Sequence, residues 1–105
     1  MKIPKQKLKN KEINAKEIVK TLSEYKNEIN TYGVKKIGLF GSFVKDKQHK
    51  KSDIDLLVEF NKPTFDNYIE LKQFLEKVFK RKVDLVVEKN LKPEFKYVKK
   101  EAIYV

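Results

Sequence analysis

Three short apolar runs, separated by stretches with helical periodicity, constrain this chain more than any other feature. Val34 to Phe40, Ile54 to Phe60 and Val83 to Val87 each read as a strand, the last rich in the valine that strands favour. Ahead of the first run, Ile18, Leu22, Tyr25, Ile29 and Tyr32 recur at alternating steps of four and three. That spacing predicts one amphipathic helix, with Asn14 as N-cap, Glu17 three residues on and Gly33 as its stop. Pro63-Thr64 opens a second helix whose core face is Tyr68, Leu71, Leu75, Val78 and Phe79. Residues 42–47 can form a short helix, and His49-Lys50-Lys51-Ser52 a polar loop. From Leu91 to Val105, a stretch that includes Pro93, a short helix followed by an extended end is expected. Helix, strand, helix, strand, helix, strand is the order of an α/β layer structure. With three short strands, the sheet is small and mixed, flanked by helices.

At 105 residues there is room for one domain and one modest core. A chain of this size buries roughly 65% of its unfolded surface. Residues 1–12 are lysine-rich and read as a loose basic tail, which leaves 13–105 as the folded unit. A second substrate-binding domain does not fit, so an acceptor that needs one must come from a partner.

Cysteine is absent, which excludes disulfides and thiolate metal sites. The basic N-terminus lacks the apolar core of a signal peptide, and no run approaches the ~20 apolar residues of a membrane span. A cytoplasmic protein without membrane association is the expectation. The formal net charge is +10, carried almost wholly by lysine, with Arg81 the one arginine. Specific phosphate and base recognition favours arginine's planar fork. The charge therefore speaks first for solubility, second for an anionic ligand such as ATP, and third for nucleic acid.

Two motifs carry chemistry. Leu39-Phe40-Gly41-Ser42 ends a strand in a glycine, which permits a sharp turn and close approach of a ligand to the main chain. A serine at the helix start that follows adds a hydroxyl to exposed N–H groups, an arrangement suited to phosphate. Taken alone, this reads first as a structural turn. Ser52-Asp53-Ile54-Asp55-Leu56-Leu57-Val58 places two aspartates at i and i+2 where an apolar strand begins. Period two puts both carboxylates on one face, where they repel unless a cation joins them. Mg²⁺ suits such a pair, because it takes one or two carboxylates together with substrate phosphates and water. Taken alone, this pair reads first as a solvated strand edge or turn. Together they form Gly-Ser-x10-Asp-x-Asp: a phosphate-holding element and a metal-holding element, the two parts of a nucleotidyl-transfer site.

Gly41-Ser42-Phe43-Val44-Lys45 through Ser52-Asp53-Ile54-Asp55-Leu56-Leu57-Val58 resembles the signature of the DNA polymerase beta-like nucleotidyltransferase superfamily. The length points to its minimal nucleotidyltransferase branch, the antitoxins paired with HEPN-domain toxins. The resemblance runs from about Val34 to Val105 and takes in Lys82-Val83-Asp84-Leu85-Val86 and Glu101-Ala102-Ile103-Tyr104-Val105. It implies the nucleotidyltransferase fold and Mg²⁺ held by Asp53, Asp55 and Asp84, with Asp84 helping to deprotonate the acceptor. It implies a nucleotide held by Gly41, Ser42 and Lys45, where family members often carry arginine at the position of Lys45. It also implies transfer of AMP from ATP to a tyrosine of a HEPN toxin, an antitoxin activity of the type VII kind. An aspartate inside the apolar Val83–Val87 run independently calls for a reason, since a buried carboxylate is costly without a partner. Rival readings are an antitoxin acting by contact alone, and a transferase acting on RNA or a small molecule. His49, the single histidine, reads as a solvated loop residue, and zinc is not expected.

Overall fold

The computed structural model describes residues 13–45, 47 and 52–105. The basic tail 1–12 and the loop residues His49 to Lys51 lie outside the described residues. Elements follow the chain as α1 (Ala15–Glu24), α2 (Lys26–Asn30), β1 (Val34–Phe40), β2 (Ile54–Phe60), α3 (Phe65–Phe79), β3 (Val83–Val87), α4 (Val98–Glu101) and β4 (Ile103–Tyr104). The three apolar runs are strands over the residues expected of them. The sheet is mixed but has four strands rather than three, in the order β3-β2-β1-β4. β1 is antiparallel to β2 and to β4, while β2 and β3 are parallel. A parallel pair needs a crossover, and α3 supplies it.

The helix caps form as the sequence implies. Asn14 Oδ1 accepts from the Glu17 N–H at 3.0 Å, and Thr64 Oγ1 accepts from the Asn67 N–H at 3.1 Å. One difference is that the single helix expected before Gly33 is two. The chain breaks at Tyr25, which lets Tyr25 and Tyr32 both pack on Phe74 of α3, at 5.7 and 5.6 Å between ring centroids. Gly33, at φ +79°, ends the second of them as expected. A second difference is that the chain after Phe40 enters a 3₁₀ turn, where a short helix over 42–47 was expected. Gly41–Phe43 is a single 3₁₀ turn, continued by bonds from Val44 and Lys45 N–H to the Gly41 carbonyl.

Helices cover one face of the sheet. Ile18, Leu22, Ile29, Leu71 and Leu75 pack there against Ile37, Leu39, Ile54, Leu56, Val58, Val83 and Leu85, all buried. By strand alternation the other face carries Gly38 and Phe40 of β1, Asp55, Leu57 and Glu59 of β2, and Asp84 and Val86 of β3. The register sorts these into rows across the sheet. Phe40, Asp55 and Asp84 make one row, and Tyr104, Gly38, Leu57 and Val86 the next. Lys36 and Glu59 make a third.

The second row explains how the C-terminus docks. Gly38 is flat because a Cβ there would lie 2.8 Å from Tyr104 Cδ1. Over that glycine the Tyr104 ring crosses the sheet, its hydroxyl donates to Glu88 Oε2 at 3.1 Å, and Lys36 Nζ sits 4.7 Å from the ring centroid. Lys36 also pairs with Glu88 at 3.7 Å and with Glu59 at 4.0 Å.

Candidate active site

The first row places the site. β2 begins where β1 ends, so Phe40 is opposite Asp55, and the parallel neighbour sets Asp84 beside Asp55 on its other flank. The Asp84 carboxyl lies close enough to that of Asp55 to act on it by charge and, when one of the two is protonated, as a hydrogen-bond partner. Asp53 lies two residues earlier on the same face and acts on Asp55 through its charge. Asp53 and Asp84 are exposed, and Asp55 is half-buried between them. Burial, then the charges of Asp84 and Asp53, push the Asp55 carboxyl up to about 6, against the lowering effect of an N–H donated by Ser42.

Gly41 meets Asp55 directly. Its φ is +83°, and a Cβ at this position would lie 2.2 Å from Asp55 Oδ2. The glycine therefore serves two ends: it turns the chain in a left-handed conformation, and it leaves the Asp55 carboxylate uncovered. Ser42 follows, and its main-chain N–H is directed at Asp55. The turn and the acidic strand are thus one structure.

Lys45 leaves this turn half-exposed and pairs with Glu101 Oε1 of α4 at 3.8 Å. An exposed pair of that kind contributes about 0–1 kcal/mol, so Lys45 can exchange it for an anion at little cost.

Arg81 was not among the residues the sequence singled out for the site. Its Nη1 donates to the Ser52 carbonyl at 2.9 Å, and its guanidinium lies 5.7 Å from the Phe43 ring centroid. It joins the residue after the Gly-Ser turn to the residue before Asp53. The available signal was its singularity in a lysine-rich chain, three residues before Asp84.

Among the described residues, no three acidic, histidine or cysteine side chains stand close enough together, as placed, to hold a metal. Asp55 and Asp84 meet, while Asp53 is on the same face but not closed onto them. The donor set nevertheless fits a hard divalent cation. All its atoms are carboxylate oxygens, two of them drawn together at the expense of a raised pKa, and Gly41 keeps them accessible.

A mixed sheet with helices on one face and a Gly-Ser turn laid against an in-register aspartate pair is the arrangement of a nucleotidyltransferase. A family model described as "nucleotidyltransferase domain" matches residues 13–105, and the chain belongs to that family. Over 96 residues it is 38% identical to the protein adenylyltransferase MntA of Thermococcus cleftensis, covering 89% of this chain and 97% of that protein. A solved chain provisionally identified as a minimal nucleotidyltransferase superposes with a TM-score of 0.76 at 28% identity, covering 88% of this chain and 96% of its own. A chain from a crystal structure of a toxin–antitoxin with AMP-PNP superposes at 0.55 with 31% identity, covering 76% of this chain and 61% of that one.

Proposed function

We propose that this chain is an Mg²⁺-dependent adenylyltransferase that silences a HEPN-domain toxin by transferring AMP from ATP to a tyrosine of that toxin. The observation that carries the reading is the Asp55–Asp84 pair, held in register and faced by Gly41-Ser42 on the sheet face opposite α1, α2 and α3. The MntA relative and the AMP-PNP toxin–antitoxin structure support the same reading.

Asp53, Asp55 and Asp84 are the residues that would hold Mg²⁺. When bound, the cation offsets the charge of the triphosphate and of the pyrophosphate that leaves. The chain's own residues supply the rest. Gly41, lacking a side chain, admits the phosphates to the main chain, and the Ser42 hydroxyl and Lys45 ammonium position the β- and γ-phosphates. Asp84, the more exposed of the in-register pair, accepts the proton of the acceptor hydroxyl. That oxygen forms a bond to the α-phosphorus in line with the bond to the departing pyrophosphate. The product is a tyrosyl AMP diester and free pyrophosphate.

The test is to incubate chain, toxin, ATP and Mg²⁺ and to weigh the toxin by mass spectrometry. One or more added AMP units are expected with the native chain and none with Asp53→Ala plus Asp55→Ala. If the double variant silences the toxin as well as the native chain does, neutralisation is by contact and the enzymatic reading is wrong. AMP found on RNA or a small molecule instead would replace the acceptor.

A further inference from the structure

β3 is an edge strand. The carbonyl of Lys82 accepts from Ile54 N–H at 3.0 Å, so residues 82, 84 and 86 direct their main-chain groups toward β2. Residues 83 and 85 direct theirs outward, where an edge normally presents unpaired donors and acceptors. Here one ridge of α3 meets them. Val83 N–H donates to Glu76 Oε2 at 2.9 Å, and Lys72 Nζ donates to the Val83 carbonyl at 2.9 Å. Lys72 also donates to Glu76 Oε2 at 2.9 Å, which closes the two into one unit. One turn of helix earlier, the Tyr68 hydroxyl donates to the Leu85 carbonyl at 2.8 Å. Tyr68, Lys72 and Glu76 are spaced by four, the spacing that aligns side chains along a helix. The residue between the two that they hold is Asp84.

We propose that the Tyr68-Lys72-Glu76 ridge acts as a surrogate strand that positions Asp84 against Asp55. The inward main-chain groups of Asp84 fix it only from the β2 side. Rotation of the edge about that side is stopped by the outward bonds at Val83 and Leu85, and among the described residues no other strand is there to stop it. Glu76 is central, because one of its oxygens receives both the Val83 N–H and the Lys72 ammonium. Glu76 touches no reacting group; it is a positioning residue. The consequence for catalysis rests on the nucleotidyl-transfer reading, while the consequence for Asp84 geometry does not.

The decisive comparison is Glu76→Ala against Glu76→Gln, whose amide oxygen still accepts from Val83. Carboxyl ¹³C resonances of Asp55 and Asp84 are recorded in the metal-free chain, with amide hydrogen exchange at Val83. AMP transfer to the toxin is then measured with varied ATP, at a temperature where circular dichroism shows the variant fully folded. Glu76→Ala is expected to move both carboxyl resonances and to speed Val83 exchange at least about tenfold. It should lower kcat at least about tenfold with KM for ATP within about twofold, since a displaced catalytic group costs turnover rather than nucleotide binding. Glu76→Gln should retain most of each property. A folded Glu76→Ala chain with native carboxyl resonances and native kcat overturns the proposal. Should Glu76→Ala not fold, Lys72→Met removes the donor to the Val83 carbonyl and to Glu76 while leaving the Glu76 carboxylate to accept from Val83 N–H, and must move the same observables in the same direction, or the proposal fails. If the native chain transfers no AMP but the resonances move, the proposed function has failed and the positioning role stands. If transfer and the carboxyl resonances are native in both chains, the proposed function stands and the positioning role fails.

Discussion

Asp84 stands in register with Asp55 across the parallel β2–β3 pair, close enough for its charge to act on the Asp55 carboxyl. Burial, with the negative charges of Asp84 and Asp53 beside it, holds the Asp55 carboxyl above the usual carboxylate range, at about 6.

A pH dependence follows. The Asp55 pKa rises from 3.8 to about 6 on folding. A group whose pKa is raised in the folded state stabilises the fold fully below its unfolded pKa and loses that contribution as pH rises through the folded value. The metal-free chain should therefore lose an Asp55 contribution between about pH 4 and pH 6, and added Mg²⁺ should restore stability above pH 6 by replacing the proton. Thermal melts at pH 5 and pH 8, each with and without Mg²⁺, measure this. Equal Mg²⁺ effects at the two pH values would contradict it.

Gly41→Ala should be among the most damaging single substitutions. It combines φ +83° with a methyl 2.2 Å from Asp55 Oδ2. A cost of about 1–3 kcal/mol is expected in urea melts, together with loss of transfer beyond what the fraction folded explains. A variant with native stability and activity would show that the turn is not packed on Asp55.

Lys45→Ala should raise KM for ATP several-fold and leave stability within about 0.5 kcal/mol, because its pairing with Glu101 is exposed at both ends. Lys45→Arg should lower KM, since the guanidinium adds a bidentate phosphate contact. Calorimetric titration of ATP into the three chains in Mg²⁺ decides it. Equal affinities would remove Lys45 from the nucleotide site.

The C-terminal strand gives a prediction remote from the chemistry. Tyr104→Phe removes a donor to Glu88, which is 8% exposed and retains only Lys36 among the partners described above. A loss of about 1–2 kcal/mol is expected. Unchanged stability would show that the tyrosine docks by its ring alone.

Much of the fold was legible because its signals are local. The runs at 34–40, 54–60 and 83–87, the caps at Asn14 and Thr64 and the stop at Gly33 each depend on neighbours in sequence. The break at Tyr25 was not legible, because Phe74 of α3, against which both tyrosines pack, is far away in the chain. Nor was β4: a two-residue extended end becomes a strand only when Gly38 offers a flat surface to Tyr104. At the site, Asp53, Asp55 and Asp84 stood out as carboxylates among apolar strand residues. What the residues alone could not supply was their mutual placement. The parallel register, the Ser42 N–H turned onto Asp55, and the grip of Arg81 on Ser52 all join residues distant in sequence.

The central claim is that the carboxylates beside Gly41-Ser42 serve transfer at the α-phosphorus of ATP. Parallel reactions of chain, toxin and Mg²⁺ with ATP carrying ³²P at the α or at the γ position test it most directly. The toxin should take label from α-labelled ATP only, and Asp84→Asn, which keeps the size but loses the proton-accepting carboxylate, should reduce the rate by at least about 100-fold. Label arriving from the γ position, or an undiminished rate with Asp84→Asn, would contradict the account.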